Sequence, residues 1–229
     1  MFEIKNLNVA YGQSEVLHGI DLAVQPGEIV AVVGRNGMGK STLMKSLIGT
    51  IPCRSGEVLI DGKDVSVLPS HQRVARGLAY VPQGRQIFGT MTVRENIETG
   101  LVVTGKSDVP EEIYSLFPIL WEFDKRRGGN LSGGQQQQLA IARALASDPK
   151  ILLLDEPTEG IQPSIIKDIA KVLKDIRQLR NLCIVVCEQV LSFILDVADR
   201  IVVMENGRLV HATPRAEVNE AEIARFLAV

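Results

Sequence analysis

Apolar residues alternate with polar ones at Phe2, Ile4, Leu7 and Val9, the period-two pattern of a strand with one buried face. Tyr11-Gly12 ends it, and residues 16–24 resume a strand-like pattern before the turn Gln25-Pro26-Gly27-Glu28. Ile29-Val30-Ala31-Val32-Val33 and Ile151-Leu152-Leu153-Leu154-Asp155 are apolar almost throughout, which predicts strands buried on both faces, as in parallel sheets. Shorter strands are predicted at 56–62, 78–82, 182–187 and 200–204, and the turn Asn206-Gly207 leads into another at 208–211. A helix opens at 42–48. Ile165, Ile166, Ile169, Val172, Leu173 and Ile176 recur at a helical period, and further helices are predicted at 192–198 and 215–227.

Between residues 91 and 147 the strand pattern disappears, and 93–97, 110–116, 121–125 and 136–146 all look helical. The expected organisation is therefore one α/β domain over residues 1–229. Its core spans 1–90 and 148–229, with an antiparallel β portion near the N-terminus, and 91–147 forms an inserted helical subdomain.

Composition changes little. Hydrophobic residues make up 45% of the chain and charged ones 23%, ordinary for a globular protein. A net charge of −2 speaks against general nucleic-acid binding. No apolar run approaches the 18 or so residues needed to span a bilayer, and Met1-Phe2-Glu3-Ile4-Lys5 lacks a signal-peptide layout. Cys53, Cys183 and Cys187 form no paired framework and read as reduced core thiols; His18, His71 and His211 give no metal-ligand spacing.

The chemistry starts at Gly34-Arg35-Asn36-Gly37-Met38-Gly39-Lys40-Ser41-Thr42, which has the G-x-x-x-x-G-K-[ST] spacing of a phosphate-binding loop between a strand and a helix. Glycines let successive N–H groups curl toward one concavity, and the helix N-terminus adds partial positive charge there. Lys40 is placed to reach the β- and γ-phosphates, and the Ser41 hydroxyl to ligate Mg²⁺. Asp155-Glu156, at the end of an apolar strand, supplies the missing carboxylates: Asp155 for Mg²⁺ and Glu156 to polarise the attacking water.

Leu131-Ser132-Gly133-Gly134-Gln135 sets a second anion-receiving helix start in the same chain. Here the sequence resembles the ATP-binding cassette (ABC) ATPases, whose signature motif is LSGGQ, over nearly its whole length and in the family's motif order. The resemblance implies a P-loop NTPase core with a mainly parallel sheet, an antiparallel β subdomain and an inserted α-helical subdomain. It implies an ATPase using ATP and Mg²⁺. Tyr11 would stack on adenine, Gln83 would sense the γ-phosphate near Mg²⁺ and touch a membrane partner, and Ser132, Gly133, Gly134 and Gln135 would close over the nucleotide of a second cassette. Partners implied are that second, non-identical cassette (a homodimer being open to the isolated chain), two integral permease subunits and, indirectly, a periplasmic solute-binding protein. The location implied is peripheral, on the cytoplasmic face of the inner membrane.

Two positions depart from the common family pattern. Gln162 stands where the D-loop often has Asp, and Gln189 where a switch His is usual. Gln189 can donate a hydrogen bond but carries no proton to shuttle, so Glu156 is expected to activate water while Gln189 orients. With Gly84-Arg85-Gln86-Ile87-Phe88 and residues 157–164, these departures resemble the cassettes of branched-chain amino-acid, urea and short-chain amide importers. The 229-residue length fits the smaller cassette of such systems, and urea or short amides are the expected cargo, with branched-chain amino acids as the alternative. Ile87, Phe88 and Met91 are expected to form an exposed docking patch. The rival of another class is a soluble ABC ATPase acting on nucleic acid or the ribosome; neither a second cassette nor a long coiled-coil insert supports it.

Overall fold

A computed structural model describes residues 1–227. Two sheets organise the chain. The first is antiparallel and joins β1 (Phe2–Tyr11), β2 (Ser14–Val24), β4 (Ser55–Ile60) and β5 (Lys63–Asp64) in the order β2-β1-β4-β5, with β3 (Ile29–Val33) lying in the other sheet. Along β1 the buried residues run Phe2, Ile4, Leu7, Val9, shifting from even to odd positions. The register slips between Ile4 and Leu7, where Asn6 takes a left-handed φ of 46°, so a bulge carries the apolar face across the change of phase.

The second sheet contains β3, β6 (Leu78–Val81), β7 (Ile151–Asp155), β8 (Cys183–Glu188), β9 (Arg200–Glu205) and β10 (Arg208–Pro214), in the order β10-β9-β3-β8-β7-β6. All neighbours are parallel except the β9–β10 hairpin. Every residue of β3 and β7 is buried, as their unbroken apolar runs require. Val30 and Val32 face one core, shared with Leu43 and Leu47 and with the antiparallel sheet. Ala31 and Val33 face a second, beneath Ile194 and Ile223.

Helix α1 (Lys40–Ile48) follows β3, and α2 (Ser70–Ala75) precedes β6. Between β6 and β7 lie no strands among the described residues but the helices α3 (Val93–Leu101), α4 (Glu111–Leu116), α5 (Pro118–Glu122) and α6 (Gly133–Ala146), with a 3-10 turn at Gly128–Asn130 and one isolated antiparallel bridge between Thr92 and Arg127. Their apolar faces share one continuous core with the sheet, through Val81, Leu152 and Leu154. Then α7 (Pro163–Arg180) connects β7 to β8, α8 (Leu191–Val197) connects β8 to β9, and α9 (Glu220–Leu227) ends the described chain. No helix among the described residues is long and apolar enough to cross a membrane.

Three differences from the sequence expectations have local causes. The helix expected over 215–227 is a 3-10 turn, Arg215–Glu217, before α9 begins at Glu220. Helix α2 has too few apolar positions to show a period; it is held by buried Arg73, whose guanidinium donates to the carbonyls of Ser46 and Leu47 at 2.7 Å each and so caps the last turn of α1. Of the expected exposed trio, Phe88 is exposed, whereas Ile87 and Met91 are half-buried and Ile87 packs against the core.

Candidate functional site

The chain leaves β3 at Val33, curls through residues 34–39 and enters α1 at Lys40. Gly39 is the N-cap with φ 108°, a conformation that favours glycine, and a Cβ there would lie 2.9 Å from Leu17 Cδ2. With no cap side chain, the first-turn N–H groups of α1 are left to face an anion. Lys40 is buried; its ammonium donates to the Gly34 carbonyl at 2.7 Å and the Arg35 carbonyl at 3.0 Å, closing the loop on itself.

Asp155 ends β7, in the same sheet as β3. Its Oδ1 accepts from Ser41 Oγ at 3.2 Å and its Oδ2 from the Tyr80 hydroxyl at 3.3 Å. Burial pushes the Asp155 carboxyl above its ordinary range, against the pull of these two hydrogen bonds. Burial, and then the nearby Asp155 charge, raises the Tyr80 phenol as well, so Tyr80 stays a donor.

Glu156 follows in a left-handed conformation, φ 48°, with its N–H donating to the Cys187 carbonyl at 2.9 Å. That turn aims its side chain at three donors. Gln189 Nε2 reaches Oε1 at 2.8 Å, Gln83 Nε2 reaches Oε2 at 3.2 Å, and Lys40 Nζ lies 3.8 Å from Oε1. Gln189 also donates to Asn36 Oδ1 at 2.7 Å, tying the loop after β8 to the glycine-rich loop. Asn36, Gly37, Lys40, Thr42, Gln83 and Glu156 line a cavity of about 250 Å³, with Val16 of β2 at its side.

Residues 132–135 are built separately. Ser132 caps α6 in a reciprocal box: its Oγ accepts from the Gln135 N–H at 3.4 Å, and Gln135 Oε1 accepts from the Ser132 N–H at 2.9 Å. Gly134 packs against Ile165, where a Cβ would sit 2.9 Å from the Ile165 side chain. The short glutamine run continues into α6 as ordinary helix, with Gln137 and Gln138 buried. Neither these residues nor Tyr11, half-exposed at the end of β1, line the cavity. One chain thus brings together residues 34–42, 83, 155, 156 and 189, and leaves 11 and 132–135 outside.

Residues that the sequence marks only through their resemblance to an importer subgroup, or does not mark at all, also shape the site. Gly84, Arg85 and Gln86 are all left-handed, with φ of 77°, 67° and 47°. Arg85 donates to the Glu159 carbonyl at 2.9 Å, and Arg143 of α6 donates to the Gln86 carbonyl at 2.9 Å while lying over the Phe88 ring. The sequence gives Tyr80, Thr158 and Glu188 no individual role, because only their partners' positions give them meaning.

The donor set fits a nucleotide and a small divalent cation. Among the described residues no group of three or more His, Cys, Asp or Glu forms a metal cluster. A cation here would use the Asp155 carboxylate, the Ser41 hydroxyl and phosphate oxygens, the mixed coordination that suits Mg²⁺.

Comparisons with known proteins agree with this geometry. The family described as ABC transporter matches residues 17–159. The high-affinity branched-chain amino acid transport ATP-binding protein BraG of Pseudomonas aeruginosa is 39% identical over 97% of this chain and 97% of its own. The lipopolysaccharide export system ATP-binding protein LptB of Haemophilus influenzae is 35% identical over 96% of this chain and 94% of its own. The dimeric post-hydrolysis structure of the ATP-binding cassette MJ0796 bound to ADP and Pi superimposes with a TM-score of 0.84 at 26% identity, covering 94% of this chain and 99% of that one. A complete phosphate loop, a paired Ser41 and Asp155, and relatives matched end to end lead to one conclusion: the chain belongs to the ABC transporter family, as an ATP-binding subunit with the ABC ATPase fold, and it is an ATPase.

Proposed function

We propose that residues 34–42 hold the phosphates of ATP, that Ser41 and Asp155 hold Mg²⁺ with Gln83 beside it, and that Glu156 polarises the attacking water. The observation that carries this reading is the convergence of Gln83, Gln189 and Lys40 on one carboxylate, next to the Ser41–Asp155 pair. The water oxygen attacks the γ-phosphorus, the bond to the bridging oxygen breaks, and ADP and phosphate leave. Glu156 accepts the hydrogen bond of that water, and Gln189 orients Glu156 without itself titrating. A bound Mg²⁺, held by Ser41 and Asp155, would neutralise charge on the transferring phosphate.

The site is half a site in this reading. Tyr11 lies at the cassette's edge to stack on adenine, and Ser132, Gly133, Gly134 and Gln135 complete the nucleotide site of a second cassette across a two-fold axis. The dimeric state of MJ0796 supports that arrangement. ATP binding and release of products would then drive two membrane permease subunits, with this chain peripheral on the cytoplasmic face and a solute-binding protein delivering cargo outside.

Likeness to BraG favours import of branched-chain amino acids. Urea or short amides, toward which the residue pattern of the site leans, form the second arm of the same test. Deleting the chain in its source cell and measuring uptake of labelled leucine and urea separates them: loss of leucine uptake supports the first arm, and loss of urea uptake alone supports the second. Purification of the tagged chain in mild detergent should bring permease subunits with it; ATPase stimulation by DNA or ribosomes without them would overturn the transport reading. In the assembled complex, Glu156→Gln should lower kcat by about 100-fold while leaving ATP binding intact.

A further inference from the structure

Glu188, the last residue of β8, is 3% exposed and carries a carboxylate that no Lys or Arg pairs with among the described residues. Four donors surround it instead. Its Oε2 accepts from the Thr158 hydroxyl at 2.6 Å and the Thr158 N–H at 3.2 Å. Its Oε1 accepts from the N–H groups of Gln189 at 2.7 Å and Val190 at 3.2 Å. A buried polar group so fully matched holds its neighbours in one arrangement, because opening any contact leaves a charge or a donor unpaired.

What it holds is informative. Thr158 lies two residues beyond Glu156, and Gln189 follows Glu188 directly. Glu156 sits in a left-handed conformation that costs on the order of 1 kcal/mol or more in a residue with a Cβ and persists only when its surroundings over-determine it. Its N–H is fastened to Cys187, and Thr158 is fastened to Glu188, so the strained residue is strapped to the end of β8 on both sides. The same carboxylate fixes the backbone from which Gln189 reaches Glu156 and Asn36.

We propose that Glu188 is a positioning residue for ATP hydrolysis, clamping the segment after Glu156 and the loop carrying Gln189 into one unit through Thr158. This rests on the assignment of Glu156 above. A carboxylate suits all four donors because it only accepts, whereas an amide can serve at most the N–H groups on one side. An amide at 188 that keeps its oxygen on the Gln189 and Val190 N–H groups turns its NH₂ toward Thr158; the Thr158 hydroxyl can turn to accept from it, but the Thr158 N–H loses its acceptor and the clamp is loosened.

The test is steady-state ATP hydrolysis by the full chain in its purified transporter complex, with kcat and KM for ATP separated. Glu188→Gln and Thr158→Val should each lower kcat about 10- to 100-fold, the loss typical of a misplaced reacting group, with KM little changed. Thr158→Ser, which keeps the hydroxyl, should recover most of the rate. Combining Glu188→Gln with Thr158→Val should cost less than the two losses multiplied, because both open one clamp. Thr158→Val is nearly isosteric, so it reads the clamp even where Glu188→Gln lowers the yield of folded protein. A wild-type kcat in Thr158→Val and in folded Glu188→Gln, alongside an inactive Glu156→Gln, would overturn this proposal alone. A wild-type kcat in Glu156→Gln would overturn the underlying assignment as well.

Discussion

The Ser41 hydroxyl donates to Asp155 Oδ1 at 3.2 Å, joining the start of α1 to the end of β7 across 114 residues of chain. Burial raises the Asp155 pKa from its ordinary 3.8, so the folded chain binds that proton more tightly than the unfolded one. The associated stability is fully present below 3.8 and is lost as pH rises through the raised value. Asp155→Asn removes the buried charge, and the Ser41 and Tyr80 hydroxyls can turn to meet an amide. The nucleotide-free variant should melt above wild type near neutral pH, about 2–4 °C for each kcal/mol gained in a chain of this size, and the advantage should vanish toward pH 4. Its Mg²⁺-dependent ATPase should be lost. Differential scanning calorimetry across pH, paired with an activity assay, checks both halves.

Lys40 spends its ammonium on the carbonyls of Gly34 and Arg35 while standing 3.8 Å from Glu156. Lys40→Met should weaken ATP binding about 10- to 100-fold, the range for a hydrogen bond to a charged group. The rise in Tm that saturating ATP gives wild type should shrink accordingly.

Gln189 bridges Asn36 and Glu156 without a titratable proton. The kcat profile of the wild-type complex should therefore show no imidazole inflection from this position. Gln189→His should add one at or above about 6.5, because the Glu156 carboxylate beside it favours the charged imidazole. A variant profile that overlays wild type would count against contact between residue 189 and the reacting centre.

The Asn206-Gly207 turn has left-handed φ at both residues, 45° and 71°, and reaches back to the phosphate loop. Gly207 donates to the Met38 carbonyl at 3.0 Å and accepts from the His18 N–H at 2.9 Å; a Cβ on it would overlap the Val16 carbonyl oxygen. Gly207→Ala should cost about 2–4 kcal/mol, combining left-handed strain with overpacking, and should loosen ATP binding as well. Urea unfolding and ATP titration on the same preparation measure the two effects.

These contacts show where the sequence speaks and where it is silent. Residues 29–33 and 151–155 announce buried parallel strands because both faces of such a strand are apolar, and the loop between β3 and α1 announces itself by glycine spacing. The helical stretch between β6 and β7 is visible as a loss of alternation. Helix α2 is not visible, since its anchor, Arg73, reads in sequence as a surface charge. Glu188 is equally mute: it stands beside Gln189 and sounds polar, and only the pairing of β8 with β7 brings Thr158 to it. The left-handed run at Gly84, Arg85 and Gln86 falls outside periodic reasoning: glycine favours the first position, and Arg143 holds the carbonyls of the other two.

Strand β3 pairs with β8 and β9 and with no strand made before them, its residues lying opposite 184–188 and 200–203. During synthesis residues 34–42 therefore emerge long before either neighbour exists. Until β8 and β9 are made, β3 can pack against α1 and the antiparallel sheet but has none of its own sheet partners. ATP would act as a folding ligand only once β8 and β9 have been made, and a chain stopped short of β9 would carry the motif without both strands that flank it.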